Sequence, residues 1–250
     1  VAAMCDPNPL VAGAGLARLP VRRRLRAVVF FTGDELAMPG EPLPEGGIYN
    51  SNRYMLRTLL EGLGCEVADL GIVPDRLDAT RAALREAAAG HDLIVTSGGM
   101  SVGEEDHVKP AVEAEGRLDM WKIAMKPGKP LACGRVGDAD FIGLPGNPVA
   151  SFVTFLLMVR PFVQARQGMA EVRAMPLQLR ADFEWPRPDR RREFLRARRT
   201  GGGSVEIFPN QASHVLTSTG WADGLVDVPP ATPIARGEAV NFLPFSELVD

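Results

Sequence analysis

The 250-residue chain carries 28 basic and 31 acidic residues, a net charge of −3 at neutral pH that argues against a general nucleic-acid binder. Its length allows one large core or two modest ones. The three cysteines (Cys5, Cys65, Cys133) are far apart, which argues against a disulfide framework or zinc site and fits a reducing cytoplasm, and the three histidines (His91, His107, His214) lack metal-ligand spacing.

Residues 1–21 have little periodicity and read as the tail of an upstream region, and Asp6, Pro7 and Pro9 interrupt any signal-peptide core. Residues 26–31 form a continuous apolar run, the pattern of a strand buried on both faces, and end in Thr32-Gly33-Asp34-Glu35. Prolines and glycines make residues 38–47 a loop. Asn50-Ser51-Asn52 then offers capping side chains ahead of Tyr54, Met55, Leu59, Leu60 and Leu63 at helical spacing, with Gly64 as the stop. Residues 65–73 read as a strand ending in Pro74-Asp75, residues 79–89 as a helix and residues 92–96 as a third strand.

That strand runs into Ser97-Gly98-Gly99-Met100-Ser101-Val102-Gly103. Glycines let backbone N–H groups approach an anion and the following helix start adds a positive dipole end, so the loop is either a phosphate or oxyanion cradle or a tight strand-to-helix turn. A helix is expected over residues 106–114. Short strands over 118–124 and 130–134 flank Lys126-Pro127-Gly128-Lys129, whose two ammonium groups either meet an anion or lie on a solvated turn. Residues 140–144 form another strand, ending in Pro145-Gly146-Asn147-Pro148. Asn147 suits the N-cap and Pro148 the first position of a helix reaching residue 166. The longest apolar run, residues 149–159, is followed by Arg160-Pro161 and is too short to cross a bilayer, so no membrane association is expected.

The alternation of strands and helices predicts an α/β domain over residues 22–170, a parallel-type sheet with helices on both faces. Residues 175–250 lack long helical patterns and predict a small all-β domain. Ligands bind beyond the carboxyl ends of parallel strands, where the loops at 32–35, 75, 97–106 and 145–148 converge. Asp34, Glu35, Asp75 and Asp106 fall there, hard oxygen donors that suit Mg²⁺. The arginines of residues 187–199 are expected to be mostly solvated, with one or two able to reach an anionic ligand. No Walker A, GxGxxG or GxSxG motif is present.

Five motifs in register resemble the MoeA/gephyrin family of molybdopterin molybdenumtransferases. They are Phe31-Thr32-Gly33-Asp34-Glu35-Leu36, Ile48-Tyr49-Asn50-Ser51-Asn52, the segment from Ser97 to Asp106, Met125-Lys126-Pro127-Gly128-Lys129-Pro130, and Gly143-Leu144-Pro145-Gly146-Asn147-Pro148. Arg192-Glu193-Phe194-Leu195-Arg196 and Ala222-Asp223-Gly224-Leu225 look like that family's C-terminal β domain. The resemblance implies insertion of molybdenum from molybdate into adenylated molybdopterin with Mg²⁺ and release of AMP, by a cytoplasmic homodimer. It implies that Gly98, Gly99, Ser101 and Gly103 hold the phosphate or pterin side chain, with Thr32, Gly33, Asn50, Ser97, Pro145, Gly146 and Asn147 beside them. Asp34, Glu35, Asp75 and Asp106 would hold Mg²⁺ or orient molybdate, with Glu35, Asp75 and Asp106 as the metal set, and Lys126 and Lys129 would neutralise substrate. The cofactor supplies the sulfur ligands. The chain departs from the family in lacking its N-terminal domains, and in carrying Gln211-Ala212-Ser213-His214 where the family often has a glycine–serine pair. The alternatives are a molybdopterin adenylyltransferase and a non-catalytic pterin-binding or scaffolding dimer.

Overall fold

The computed structural model describes residues 21–100 and 107–249, with Gly13, Gly15 and Arg18 before them. In chain order the first domain contains β1 (Arg26–Thr32), β2 (Leu36–Ala37), β3 (Ile48–Tyr49), α1 (Ser51–Gly62), β4 (Glu66–Val73), α2 (Leu77–Ala88), β5 (Leu93–Ser97), α3 (Val108–Glu115) and β6 (Gly116–Trp121). There follow β7 (Met125–Lys126), β8 (Ala132–Val136), β9 (Ala139–Leu144), α4 (Pro148–Thr154) and α5 (Arg160–Gln167).

β1 is apolar from Ala27 to Phe31 because helices cover both of its faces. Ala27, Val29 and Phe31 join one buried cluster with Leu56 and Leu60 of α1 and Val153 of α4, while Val28 and Phe30 join another with Leu84 of α2 and Val112 of α3. β4, β1, β5 and β9 are parallel neighbours, so their carboxyl ends lie along one edge. The sheet is nevertheless mixed, because β8 and β6 add antiparallel beyond β9. Only Gly137 and Asp138 separate β8 from β9, a link that permits a hairpin and no crossover.

α1 begins as its sequence suggests: the Asn50 side chain accepts from the Arg53 N–H at 3.1 Å. It ends at Gly64, whose N–H bonds the Glu61 carbonyl at 2.9 Å. The apolar helix after β9 has the length its sequence suggests, to within one residue, but it is not a regular α-helix throughout. α4 passes through a π-helical turn (Phe155–Val159) into α5, giving a continuous helix of 20 residues. Pro161 cannot donate in the ladder, and the Arg160 N–H bonds the Phe155 carbonyl five residues back; the widened turn carries the helix past the proline. By length and composition alone this helix could cross a membrane, although more than half of its apolar stretch is buried inside the protein.

The second domain comprises β10 (Leu177–Ala181), β11 (Arg192–Thr200), β12 (Ser204–Ile207), α6 (Thr217–Trp221), β13 (Gly224–Val228) and β14 (Ala239–Pro244). The order β12-β10-β14-β13-β11 closes on itself through β11–β12 pairing, giving a five-stranded barrel. Leu195, Ala197, Val226 and Phe242 fill the barrel, whereas Phe194, Leu225 and Leu243 from alternate positions join the helix-side core of the first domain. β7 extends the barrel sheet, pairing in parallel with β11 so that Lys126 lies opposite Glu193. The two domains are therefore joined by a strand as well as by shared core.

At the sheet edge remote from the parallel carboxyl ends, Asp92 accepts from both Arg23 terminal nitrogens at 2.5 and 2.6 Å and from the Arg26 N–H at 2.9 Å. The Arg23 guanidinium, more than any other group, holds the Asp92 carboxyl well below the usual carboxylate range. A depressed carboxylate contributes stability at pH values above its unfolded pKa, near ~4, and loses it as pH falls toward the folded value. Asp92→Asn is expected to lower the melting temperature at pH 6 and to flatten the acid limb below about pH 4. Thermal melts from pH 3 to 7 check this, and an unchanged acid limb would contradict it.

Candidate functional site

The carboxyl ends of β1, β5 and β9 open onto a cleft of 680 Å³. Thr32 and Glu35 from the β1 end, Asn50 at the start of α1, Ser97, Gly98 and Gly99 after β5, and Pro145, Gly146 and Asn147 after β9 line it together. Nine residues expected at the site from sequence are thus brought together. β2 and β3 explain how residues 38–47 can loop out without loosening this arrangement. Their parallel pairing, with the Asn50 N–H bonding the Ala37 carbonyl at 2.9 Å, holds the β1 end against the start of α1.

Asn52 holds the cleft floor. Its side-chain Nδ2 donates to Ser97 Oγ and to the Gly146 carbonyl, both at 2.8 Å, and Ser97 Oγ donates to the Pro145 carbonyl at 2.8 Å. One amide thereby ties α1 to the ends of β5 and β9. Asn52 was not among the expected site residues, although a sequence signal exists: it occupies the stripe of Leu56 and Leu60 at successive four-residue steps, and all three are buried. A polar residue in an apolar stripe needs a partner.

The glycine loop lies against Thr32. Gly98 and Gly99 adopt φ of 99° and 59°, and a Cβ on Gly99 would lie 2.7 Å from Thr32 Oγ1. Thr32 Oγ1, Asn50 Nδ2 and Asn52 Oδ1 are buried and have no hydrogen-bond partner among the described residues. Three such atoms from two converging elements of one cleft wall are a donor and acceptor set for a polar ligand. Asn147 begins α4 as expected, yet its side chain makes no cap hydrogen bond, leaving its amide on the cleft wall.

Other expected site residues stand apart from the cleft lining. Gly33 lies beneath Glu35, where a Cβ would meet the Glu35 carboxylate at 2.6 Å. Asp34 Oδ1 accepts from the Asp75 N–H at 3.3 Å, which places both at the neighbouring rim. Lys126 pairs with Glu193 at 3.0 Å rather than lining the cleft, and Lys129 is exposed beside Pro130, which does line it. Ser101, Gly103 and Asp106 lie outside the described residues. Among the described residues, no three His, Cys, Asp or Glu side chains form a ready-made metal centre.

The β domain supplies the far wall through His214 and Leu216, which local sequence patterns do not bring to the cleft. The Ser213 carbonyl accepts from the Val149 N–H at the start of α4, at 3.1 Å. Gln211 anchors this loop: its Oε1 accepts from the Arg196 N–H at 2.9 Å and its Nε2 donates to the Arg196 carbonyl at 3.0 Å. The Arg196 side chain is buried and donates to Ser218 Oγ and the Ala212 carbonyl, both at 3.2 Å. Burial pushes its pKa down to about 10, so it remains charged at neutral pH, with no carboxylate pairing among the described residues. Arg196→Ala is expected to cost about 2–4 kcal/mol by removing a buried stem and two loop anchors, measured by urea unfolding. A loss below about 0.5 kcal/mol would contradict that anchoring role.

Cys65 and Cys133 are free thiols whose pKa values burial raises, to about 11 for Cys65, so neither is poised as a thiolate ligand or nucleophile.

Comparison with known proteins places this geometry. Residues 28–165 match the family described as "Probable molybdopterin binding domain", and residues 178–245 match "MoeA C-terminal region (domain IV)". The chain is 37% identical over 247 residues to the molybdopterin molybdenumtransferase of Haemophilus influenzae, covering 96% of this chain and 61% of that protein. It is also 37% identical over 227 residues to molybdopterin molybdenumtransferase 2 of Mycobacterium tuberculosis, covering 88% of this chain and 56% of that one. The crystal structure of the molybdopterin biosynthesis MoeA protein from Pyrococcus horikosii superposes with a TM-score of 0.81 at 28% identity, over 95% of this chain and 58% of that chain. The chain thus spans a little over half the length of these relatives. With a family match across its α/β domain and a second across its barrel, the chain belongs to the MoeA family of molybdopterin-binding proteins.

Proposed function

We propose that this chain forms the pterin-holding part of a molybdopterin molybdenumtransferase, which transfers molybdenum from molybdate to adenylated molybdopterin and releases AMP. The observation that carries the reading is the set of three buried polar atoms beside the glycine loop in the cleft that have no partner among the described residues. The names of the relatives support it. A cytoplasmic homodimer, and a division of the chain at residues 170–175, are parts of the same proposal; the first rests on the family resemblance.

In this reading Gly98 and Gly99 let the pterin's phosphate approach the β5 end, and Ser97 and Asn52 keep that loop in register with Gly146. Thr32 Oγ1 and Asn50 Nδ2 complete a polar wall, and His214 and Leu216 narrow the opening opposite. Arg196 places a positive charge behind the His214 loop, favouring an anionic ligand. The donor chemistry also fits Mg²⁺, which is commonly held by one or two carboxylates plus substrate phosphates rather than by an all-protein cage. Glu35 on the cleft wall and Asp75 at the rim would hold it, and the family resemblance adds Asp106 to that set. When bound, the ion would supply neutralisation of phosphate charge.

Calorimetric titration of the chain with adenylated molybdopterin and Mg²⁺ tests the reading, followed by molybdate addition and chromatographic measurement of AMP. Saturable binding to one site per chain is expected, with AMP release once the remainder of the relatives' length is present. Absence of binding would overturn the cleft assignment. Binding without AMP release even at full length would favour a pterin-binding protein without turnover.

A further inference from the structure

The side chain opposite Lys126 has a placement that barrel packing alone does not require. Glu193 lies near the start of β11 and is 1% exposed. Its Oε2 accepts from Trp185 Nε1 at 2.9 Å and from the Asp189 N–H at 2.7 Å, while its Oε1 lies 3.0 Å from Lys126 Nζ. A carboxylate this buried is costly unless its charge is met; Lys126 makes the ion pair at Oε1, which has no hydrogen-bond partner among the described residues, and the Arg191 charge also acts on it. Lys126 itself retains 44% side-chain exposure, so the ammonium stays on the solvent side of the pair. Asp189, the next carboxylate at 3.7 Å from Lys126, is already committed to Arg191 at 2.8 Å. Lys126 begins the short loop that ends at Pro130 in the cleft wall, and the β7–β11 register sets it opposite Glu193.

We propose that Glu193 is a positioning residue: it reaches across the domain junction to hold the Lys126 ammonium, and with it the loop from Lys126 to Pro130, in place for an anionic substrate at the cleft. This rests on the reading of the cleft as a pterin and molybdate site. It gives the β domain a direct part in substrate placement through a residue outside the cleft lining. Trp185 is a built-in reporter, because its indole N–H is bonded to the same carboxylate and any shift of that carboxylate changes the indole's surroundings.

Glu193→Gln keeps the shape and leaves an amide oxygen to accept from Trp185 and Asp189, but removes the charge that holds Lys126. Titration with sodium molybdate, in the presence of adenylated molybdopterin and Mg²⁺, should show Kd for molybdate raised about tenfold, the loss of one charge-assisted contact. Pterin affinity and the melting temperature should stay near the parent values. Lys126→Ala should raise Kd similarly, and the double variant no further. In a Trp121→Phe, Trp221→Phe chain, molybdate should shift the Trp185 emission, and Lys126→Ala should abolish that shift; this measurement leaves Glu193 intact should Glu193→Gln fail to fold. If Lys126→Ala raises Kd and Glu193→Gln does not, or if molybdate binds without shifting Trp185, Glu193 has no positioning role. If the parent binds pterin but not molybdate, or Lys126→Ala binds molybdate normally, the proposal falls while the pterin site stands. Failure of pterin binding in the parent overturns the cleft reading itself.

Discussion

Gly98→Ala is expected to destabilise the protein by about 2–4 kcal/mol and to weaken binding of adenylated molybdopterin at least about a hundredfold. Gly98 has φ of 99°, a region L side chains rarely adopt, so the methyl group would be strained before it met any neighbour. It would also run into the Thr32 carbonyl oxygen, with Thr32 Oγ1 at 3.3 Å. Thr32 cannot retreat: it ends β1, a strand paired on both sides, with Thr32 itself paired to Val73 of β4 and the adjacent Phe31 paired to Ser97 of β5. The glycine loop would have to move instead, and with it the cleft wall. Gly146→Ala is the control. A Cβ there meets only Gly98 Cα, at 3.7 Å, in ordinary contact, so its stability cost should stay below about 1 kcal/mol. Urea unfolding and calorimetric titration read both quantities; a Gly98→Ala chain that unfolds and binds like its parent would show the loop's tight approach to β1 to be immaterial.

The first domain was legible because its rules are local. Strands buried on both faces read as continuous apolar runs, and polar motifs interrupt them at their carboxyl ends, so β1, β5 and β9 together with eight cleft residues could be placed from one sequence, and the family resemblance added Asn50. What escaped was long-range. The parallel expectation missed the antiparallel turn from β9 into β8 and β6, although the two-residue link between β8 and β9 was a local sign of it. The helix to residue 166 was expected, yet nothing local marked the π-helical turn by which it passes Arg160-Pro161. Lys126 looked like half of an anion clamp around Pro127-Gly128, but only the β7–β11 register reveals its pairing with Glu193. His214 and Leu216 reach the cleft from the other domain, and no periodicity in residues 211–216 points there. Arg196 stood among seven arginines within thirteen residues, and nothing local singles out the buried one.

Asn52→Asp should damage the site more than Asn52→Ala, and the order of the two variants decides what the residue does. In Asn52→Ala the Gly146 carbonyl loses its donor, while Ser97 Oγ still donates to the Pro145 carbonyl, for an expected cost of about 1–2 kcal/mol. The β5 and β9 loops then lose their common tie to α1, and affinity for adenylated molybdopterin should fall about tenfold to a hundredfold, because the glycine loop and Gly146 no longer share a register. Asn52→Asp has nearly the same shape but replaces the donor with an acceptor. At pH 7 it would press a carboxylate against the Gly146 carbonyl in a position 8% exposed, with no cation among its hydrogen-bond partners. The cost should exceed about 3 kcal/mol and ease as pH falls toward the carboxyl's raised pKa, since protonation restores one donor. Its sign is opposite to that of Asp92, whose loss of proton stabilises the fold. If Asn52 only fills space, Asp will be tolerated better than Ala and stability will not depend on pH. If it is the donor that joins α1 to two strand ends, Ala will be the milder variant, and Ser97→Ala combined with Asn52→Ala will cost less than the sum of the two.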